Sequence, residues 1–208
     1  MKENLVELVF VLDKSGSMWC LAEDTISSYN ELLQEQKNVE GDCVVSTVLF
    51  NGTTKILHDR VDIKNVEMLT TEDYQPMGST ALYDAVCETI DRIGDKLSDT
   101  PEEERPSNVM FVIITDGHEN SSRRFTAEDV KARIERQKNK YNWDFNFIGA
   151  NIDVVTEARK IGIASTDSFT YTASDYGTKS VYASLSASIS NLRTTGDYDK
   201  INLSNNIQ

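Results

Sequence analysis

The sequence predicts a three-layer α/β sandwich, helices covering both faces of a mostly parallel sheet of about six strands. Three observations predict it. Apolar runs too short for typical helices recur at Leu5–Leu12, Asn108–Thr115 and Trp143–Ile148, which suits strands buried on both faces. Segments with apolar residues at helical spacing lie between these runs. Two further strand-like runs flank Asn51-Gly52, a dipeptide suited to the positive φ angles of a tight hairpin turn, so one edge strand is expected to be antiparallel.

Taken in order, the first run is rich in β-branched residues and is interrupted by Glu7. Ile26, Tyr29 and Leu33 mark the helix behind it, and Val44–Phe50 with Thr54–Val61 form the hairpin. Leu82, Val86, Ile90, Ile93 and Leu97 then make one apolar stripe of a helix running from about Thr80. After the strand at Asn108–Thr115, Thr126 followed by Glu128 and Asp129 reads as a capped helix start. The cations Arg133, Arg136, Lys138 and Lys140 favour that helix's carboxyl end. The strand over Trp143–Ile148 follows, and Gly162 after Ile161 reads as a helix stop. A weak sixth strand is expected at Ser168–Thr172. Val181, Leu185, Ile189 and Leu192 stripe the last helix, whose serines at 180–190 suit close packing. Residues 1–196 read as one domain and 197–208 as a frayed polar tail.

The 208 residues carry 21 Lys and Arg against 34 Asp and Glu, a formal net charge of −13. That field repels nucleic-acid phosphate and anionic lipid, so neither is expected as the main partner. Cys20, Cys43 and Cys87 are odd in number and form no Cys-x-x-Cys pair, which argues against a disulfide scaffold or thiolate zinc site and for packing roles in a reducing compartment. Two histidines cannot build a multi-histidine metal site. No apolar run approaches the ~20 residues of a membrane helix, and none reads as a secretion signal. The expectation is a cytoplasmic protein; oligomeric state is not legible.

Three motifs carry the chemistry. Asp13-Lys14-Ser15-Gly16-Ser17 follows the first strand, Gly78-Ser79-Thr80 precedes a helix, and Thr115-Asp116-Gly117 ends the fourth strand. All fall at carboxyl ends of strands or starts of helices, the edge where open α/β sheets bind ligands. Helix capping is the competing reading for Asp13, Ser15, Ser17 and Thr80. If the strands bearing Asp13 and Asp116 are neighbours, two carboxylates meet up to three hydroxyls. That all-oxygen set suits Mg²⁺, or Mn²⁺ or Ca²⁺, which offsets the carboxylate repulsion. At least one coordination position is expected to face solvent, where a partner's carboxylate could enter.

The order and spacing of Asp13-x-Ser15-x-Ser17, Thr80 in Gly-Ser-Thr and Asp116 in Thr-Asp-Gly resemble the complete metal-ion-dependent adhesion site of the von Willebrand factor type A domain, over about residues 4–195. The resemblance implies a doubly wound, Rossmann-like sheet in the order 3-2-1-4-5-6, with strand 3 antiparallel. It also implies protein binding rather than turnover, through a partner's Asp or Glu on the ion held by Asp13, Ser15, Ser17, Thr80 and Asp116. The stretch Phe147-Ile148-Gly149-Ala150-Asn151, with Ala158 and Ile161-Gly162-Ile163, is similar to compact intracellular bacterial members. Candidate rim residues are Trp19, Met18, Tyr74, Met77, Ser79, His118 and Glu119; packing competes for the methionines, and for Ser79, His118 and Glu119, as for Asn120 beside them, the competing reading is solvation or support behind the ligands. The alternative is a Mg²⁺-dependent phosphohydrolase with Asp13 as nucleophile, although Ser15 stands where such enzymes carry a second acid.

Overall fold

The structure, a computed structural model, describes residues 1–196; the tail expected over 197–208 lies outside the described residues. In chain order the elements are β1 (Lys2–Asp13), α1 (Ala22–Lys37), β2 (Asp42–Phe50), β3 (Thr54–Asp62), α2 (Leu82–Asp99), β4 (Pro106–Thr115), α3 (Ala127–Tyr141), β5 (Asp144–Gly149), α4 (Val154–Lys160), β6 (Ser168–Thr170) and α5 (Asp175–Thr195). The six strands form one sheet in the order β3-β2-β1-β4-β5-β6. β2 and β3 pair antiparallel, and every other neighbouring pair is parallel.

Side-chain alternation along β1 divides the core. Val6, Leu8, Phe10 and Leu12 pack with Tyr29 and Leu33 of α1 and Leu185 and Ile189 of α5. Val9 and Val11 turn the other way, onto Val86 and Ile90 of α2 and Ile134 of α3. All five residues of the expected α2 stripe, Leu82 to Leu97, are buried, each such side chain contributing about 1.5–3 kcal/mol. Thr126 and Asp129 form the reciprocal cap that opens α3, and Gly162 takes φ 82° just beyond α4. Among the described residues, no helix is long and apolar enough to cross a membrane.

The structure corrects several local expectations. The hairpin exists, but neither Asn51 nor Gly52 adopts positive φ. Its three-residue loop is closed instead by the Asn51 side chain, whose Oδ1 accepts from Thr53 N–H at 3.0 Å; an asparagine turning on its own side chain needs no mirror-image backbone. Glu7 interrupts the apolar run but, as expected, lies within β1. It is fully buried because Arg60 Nε donates to both its oxygens at 3.1 Å. Arg60 reaches it from an irregular stretch of β3, at φ 55°. Cys20 is exposed rather than packed, while Cys43 and Cys87 are buried. α2 begins at Leu82, and β6 ends at Thr170.

Candidate metal centre

Asp13 ends β1 and Asp116 follows the last residue of β4. These strands are parallel neighbours with Leu12 opposite Ile114, so both carboxylates arrive at the same sheet edge. Asp13, Ser15, Thr80 and Asp116 are all buried, and Ser17 is exposed. Asp13 Oδ1 accepts from Ser15 N–H at 2.7 Å and Oδ2 from Thr115 Oγ1 at 2.6 Å. Ser17 Oγ donates to Asp116 Oδ1 at 2.5 Å and lies 3.1 Å from Ser15 Oγ.

Gly117 locates the point on which these groups converge. A Cβ on it would stand 3.3 Å from both Ser17 Oγ and Thr80 Oγ1, and 4.0 Å from Asp13 Oδ2. Any larger residue here, in the third motif, would intrude on oxygen atoms of the other two.

Backbone contacts stitch the loops together. Lys14 N–H donates to Phe50 O at 2.6 Å, Gly16 N–H to Gly78 O at 3.0 Å, and Met77 N–H to Lys14 O at 3.0 Å. Gly78 supplies a left-handed turn at φ 78°. Asn51, in the hairpin loop, donates from its side chain to Met77 O at 3.0 Å and accepts from Ala81 N–H at 2.8 Å. Asn120 holds Thr80 from the third loop, its Oδ1 accepting from Thr80 N–H at 2.9 Å.

Burial, opposed by the bonds from Thr115 and Ser15, raises Asp13 to about 6, and burial raises Asp116 as well. Desolvation disfavours both anions, a cost that a nearby dication would offset. The donor set of two carboxylates and three hydroxyls fits a hard cation. Among the described residues no group of three or more His, Cys, Asp or Glu side chains could hold a metal; the three hydroxyls here offer neutral oxygens, which Mg²⁺, Mn²⁺ and Ca²⁺ accept where softer ions favour nitrogen and sulfur.

The expected rim divides. Trp19 and Met77 are 72% and 61% exposed, and Ser79 and His118 also face solvent. Tyr74 is no rim anchor. It is buried, and its hydroxyl donates to the backbone carbonyl of Asp13. Met18 likewise points into the core. Glu119 is engaged by its own loop and by the start of α2: Oε1 accepts from Ser121 N–H at 2.8 Å and Ser122 N–H at 2.6 Å, and Oε2 from Tyr83 N–H at 3.0 Å and Ser122 Oγ at 2.7 Å. His118 Nδ1 lies 3.2 Å from Glu157 Oε1. Sequence reasoning missed Thr115, Asn51 and Gly117 as supports, whereas Asn120 supports the site as its place in the loop after Asp116 suggests. Thr115 and Gly117 flank Asp116 and could have been found by their position; Asn51 gave no such signal.

The model of the von Willebrand factor type A domain matches residues 7–184, and the chain belongs to that family. Domains of this family are metal-dependent protein-interaction modules. Among solved structures, proximal thread matrix protein 1 from the mussel byssus superposes with a TM-score of 0.58 at 15% identity, over 90% of this chain and 46% of that one. A structure of the same mussel protein has a zinc-occupied adhesion-site motif. The PilB minor pilin of Streptococcus sanguinis gives 0.57 at 12% identity, over 92% of this chain and 63% of its own. BatB from Bacteroides thetaiotaomicron gives 0.55 at 14% identity, over 91% of this chain and all of its own. The chain thus spans about half the length of the mussel protein, and these likenesses show a shared fold. Curated protein sequences give no match.

Proposed function

We propose that this domain binds a protein partner through a divalent cation, Mg²⁺ or alternatively Mn²⁺ or Ca²⁺, held by Asp13, Ser15, Ser17, Thr80 and Asp116. The observation that carries the reading is the convergence of Ser17, Thr80 and Asp13 oxygens around Gly117. A bound dication supplies an electrophilic position for an Asp or Glu side chain of the partner. The chain's own residues orient the oxygens: Thr115 and the Ser15 amide hold Asp13, Asn120 holds Thr80, and Ser17 holds Asp116. The zinc-occupied motif in the mussel relative supports a divalent ion in this family.

Trp19 and Met77 flank the site as apolar contacts, with Ser79 and His118 as polar neighbours. Desolvated apolar anchors supply most of the affinity in such interfaces, and the charge pair supplies specificity. A cytoplasmic setting agrees with three free thiols. Phosphohydrolase chemistry is less well supported, because Ser15, whose hydroxyl lies 3.1 Å from Ser17 Oγ, stands where such enzymes carry the second acid that moves protons.

Calorimetric titration with MgCl₂, MnCl₂ and CaCl₂, followed by partner capture with and without EDTA, tests the proposal. Saturable binding of at least one ion and EDTA-sensitive capture are expected. Undiminished capture in EDTA overturns it.

A further inference from the structure

Beneath the metal loops, on the face covered by α1 and α5, lies a group of buried hydroxyls with a different role. Ser28 Oγ, Tyr171 Oη, Thr178 Oγ1 and Tyr182 Oη have no hydrogen-bond partner among the described residues. Each belongs to a residue at least nine-tenths buried, with 2%, 7%, 0% and 2% exposure respectively. Two α1 residues away from this pattern show what satisfaction looks like here: Tyr29 shares a 2.6 Å bond with Thr47 Oγ1, and Gln36 donates to Ser186 O at 2.9 Å.

α1 and α5 run side by side, Asp24 feeling Lys179 and Gln36 reaching Ser186, and Ser28 lies on α1 between these two contacts. Thr178 and Tyr182 are one turn apart on α5, and Tyr171 leads out of β6. Tyr171 and Tyr182 lie within electrostatic reach of each other and of Tyr74. Tyr171 also feels Asp116 and Asp13. Thr25, one turn before Ser28 on α1, adjoins the Tyr74 hydroxyl. Gly177 brings the start of α5 so close to Thr172 that a Cβ would stand 2.1 Å from its carbonyl oxygen, which fixes the seam's upper end.

A buried hydroxyl left unpaired costs more than a paired one contributes, and four in one seam would take a large share of a domain's small net stability. Apolar cavities stay dry, whereas polar ones hold waters that make about three hydrogen bonds each. We infer that the seam between α1, α5 and Tyr171 is an internal water-binding site, in which about two ordered waters bridge Ser28, Tyr171, Thr178 and Tyr182 below the Asp13 loop. The site is independent of whether the loops above it hold a metal.

Thr178→Val and Tyr182→Phe each delete one hydroxyl with little change of shape, and the sign of the effect decides. If waters bridge the group, each substitution strands them and lowers Tm by about 2–4 °C. If the seam is dry, each removes an unpaired polar atom and Tm rises. A crystal structure of the unmodified chain supplies the second readout, solvent density within hydrogen-bonding distance of at least two of the four hydroxyls. The inference requires both results; an unchanged or higher Tm in both variants, or a seam without solvent density, overturns it.

Discussion

Ser17 Oγ lies 2.5 Å from Asp116 Oδ1, joining side chains 99 residues apart. The contact closes a circuit, since Ser17 also meets Ser15, whose amide donates to Asp13. Asp13 and Asp116 are therefore linked through two serines, and a cation bound as proposed would take over oxygens already facing one another.

Asp116→Ala removes one of the two anions. Metal affinity should fall at least ~10-fold, the lower end of losses seen when even an outer partner of a ligand is removed. Ion at 100 times its Kd stabilises the native state by about 2.7 kcal/mol, so Tm of the unmodified chain should rise by roughly 5–10 °C. The variant should lose about half of that rise or more while keeping its metal-free Tm. Differential scanning calorimetry with MgCl₂ and with EDTA measures both.

Gly117→Ala tests the convergence point. Gly117 is not among the positive-φ residues, so alanine suits its backbone, but the new methyl would sit 3.3 Å from Ser17 Oγ and Thr80 Oγ1. The expected outcome is a folded domain by circular dichroism with metal binding weakened at least ~10-fold by titration calorimetry.

Trp19→Ala should separate partner binding from metal binding. A large exposed aromatic beside the site is the residue type that acts as an interface hot spot, at about 2 kcal/mol or more. Partner affinity should fall ~30-fold by surface plasmon resonance, with the ion's own affinity unchanged. Equal loss in both measurements would make Trp19 a structural support instead.

Glu7 predicts an unusual pH dependence. Burial, only partly offset by Arg60, raises its pKa from an ordinary 4.5 to about 7. A carboxyl with a raised native pKa favours folding in its protonated form. Its contribution is therefore complete below pH 4.5 and is lost as pH rises towards 7, on the order of 3 kcal/mol across the window. Urea unfolding from pH 5 to 8 should show Glu7→Gln losing stability less steeply than the unmodified chain, because the amide stays neutral throughout. Parallel curves would refute the assignment.

Much of the architecture was legible because period and burial coincide. Leu82 to Leu97 fall on one helical face, and that face is the one α2 buries. The shared edge of Asp13 and Asp116 was legible because each follows an apolar run, and the sheet order then makes those runs neighbours. Tyr74 was misread because an aromatic in a polar loop carries no periodicity; its inward turn depends on the distant Asp13 carbonyl. Glu119 failed for the same reason, since the amides it receives belong partly to α2, 36 residues earlier. At Asn51 the dipeptide signalled the hairpin, but the side chain selected the turn; its further bond to Met77 O, and the one from Ala81 N–H to the Asn51 carbonyl, are invisible to any local rule.

The cysteines have a practical consequence. Burial pushes the Cys43 and Cys87 thiols up to about 12, so both stay protonated and inert at neutral pH, whereas Cys20 stands in the open, three residues beyond Ser17. A maleimide dye would therefore attach at one position without prior mutagenesis, and the chain already carries a handle for an optical sensor three residues along from the candidate ligand Ser17.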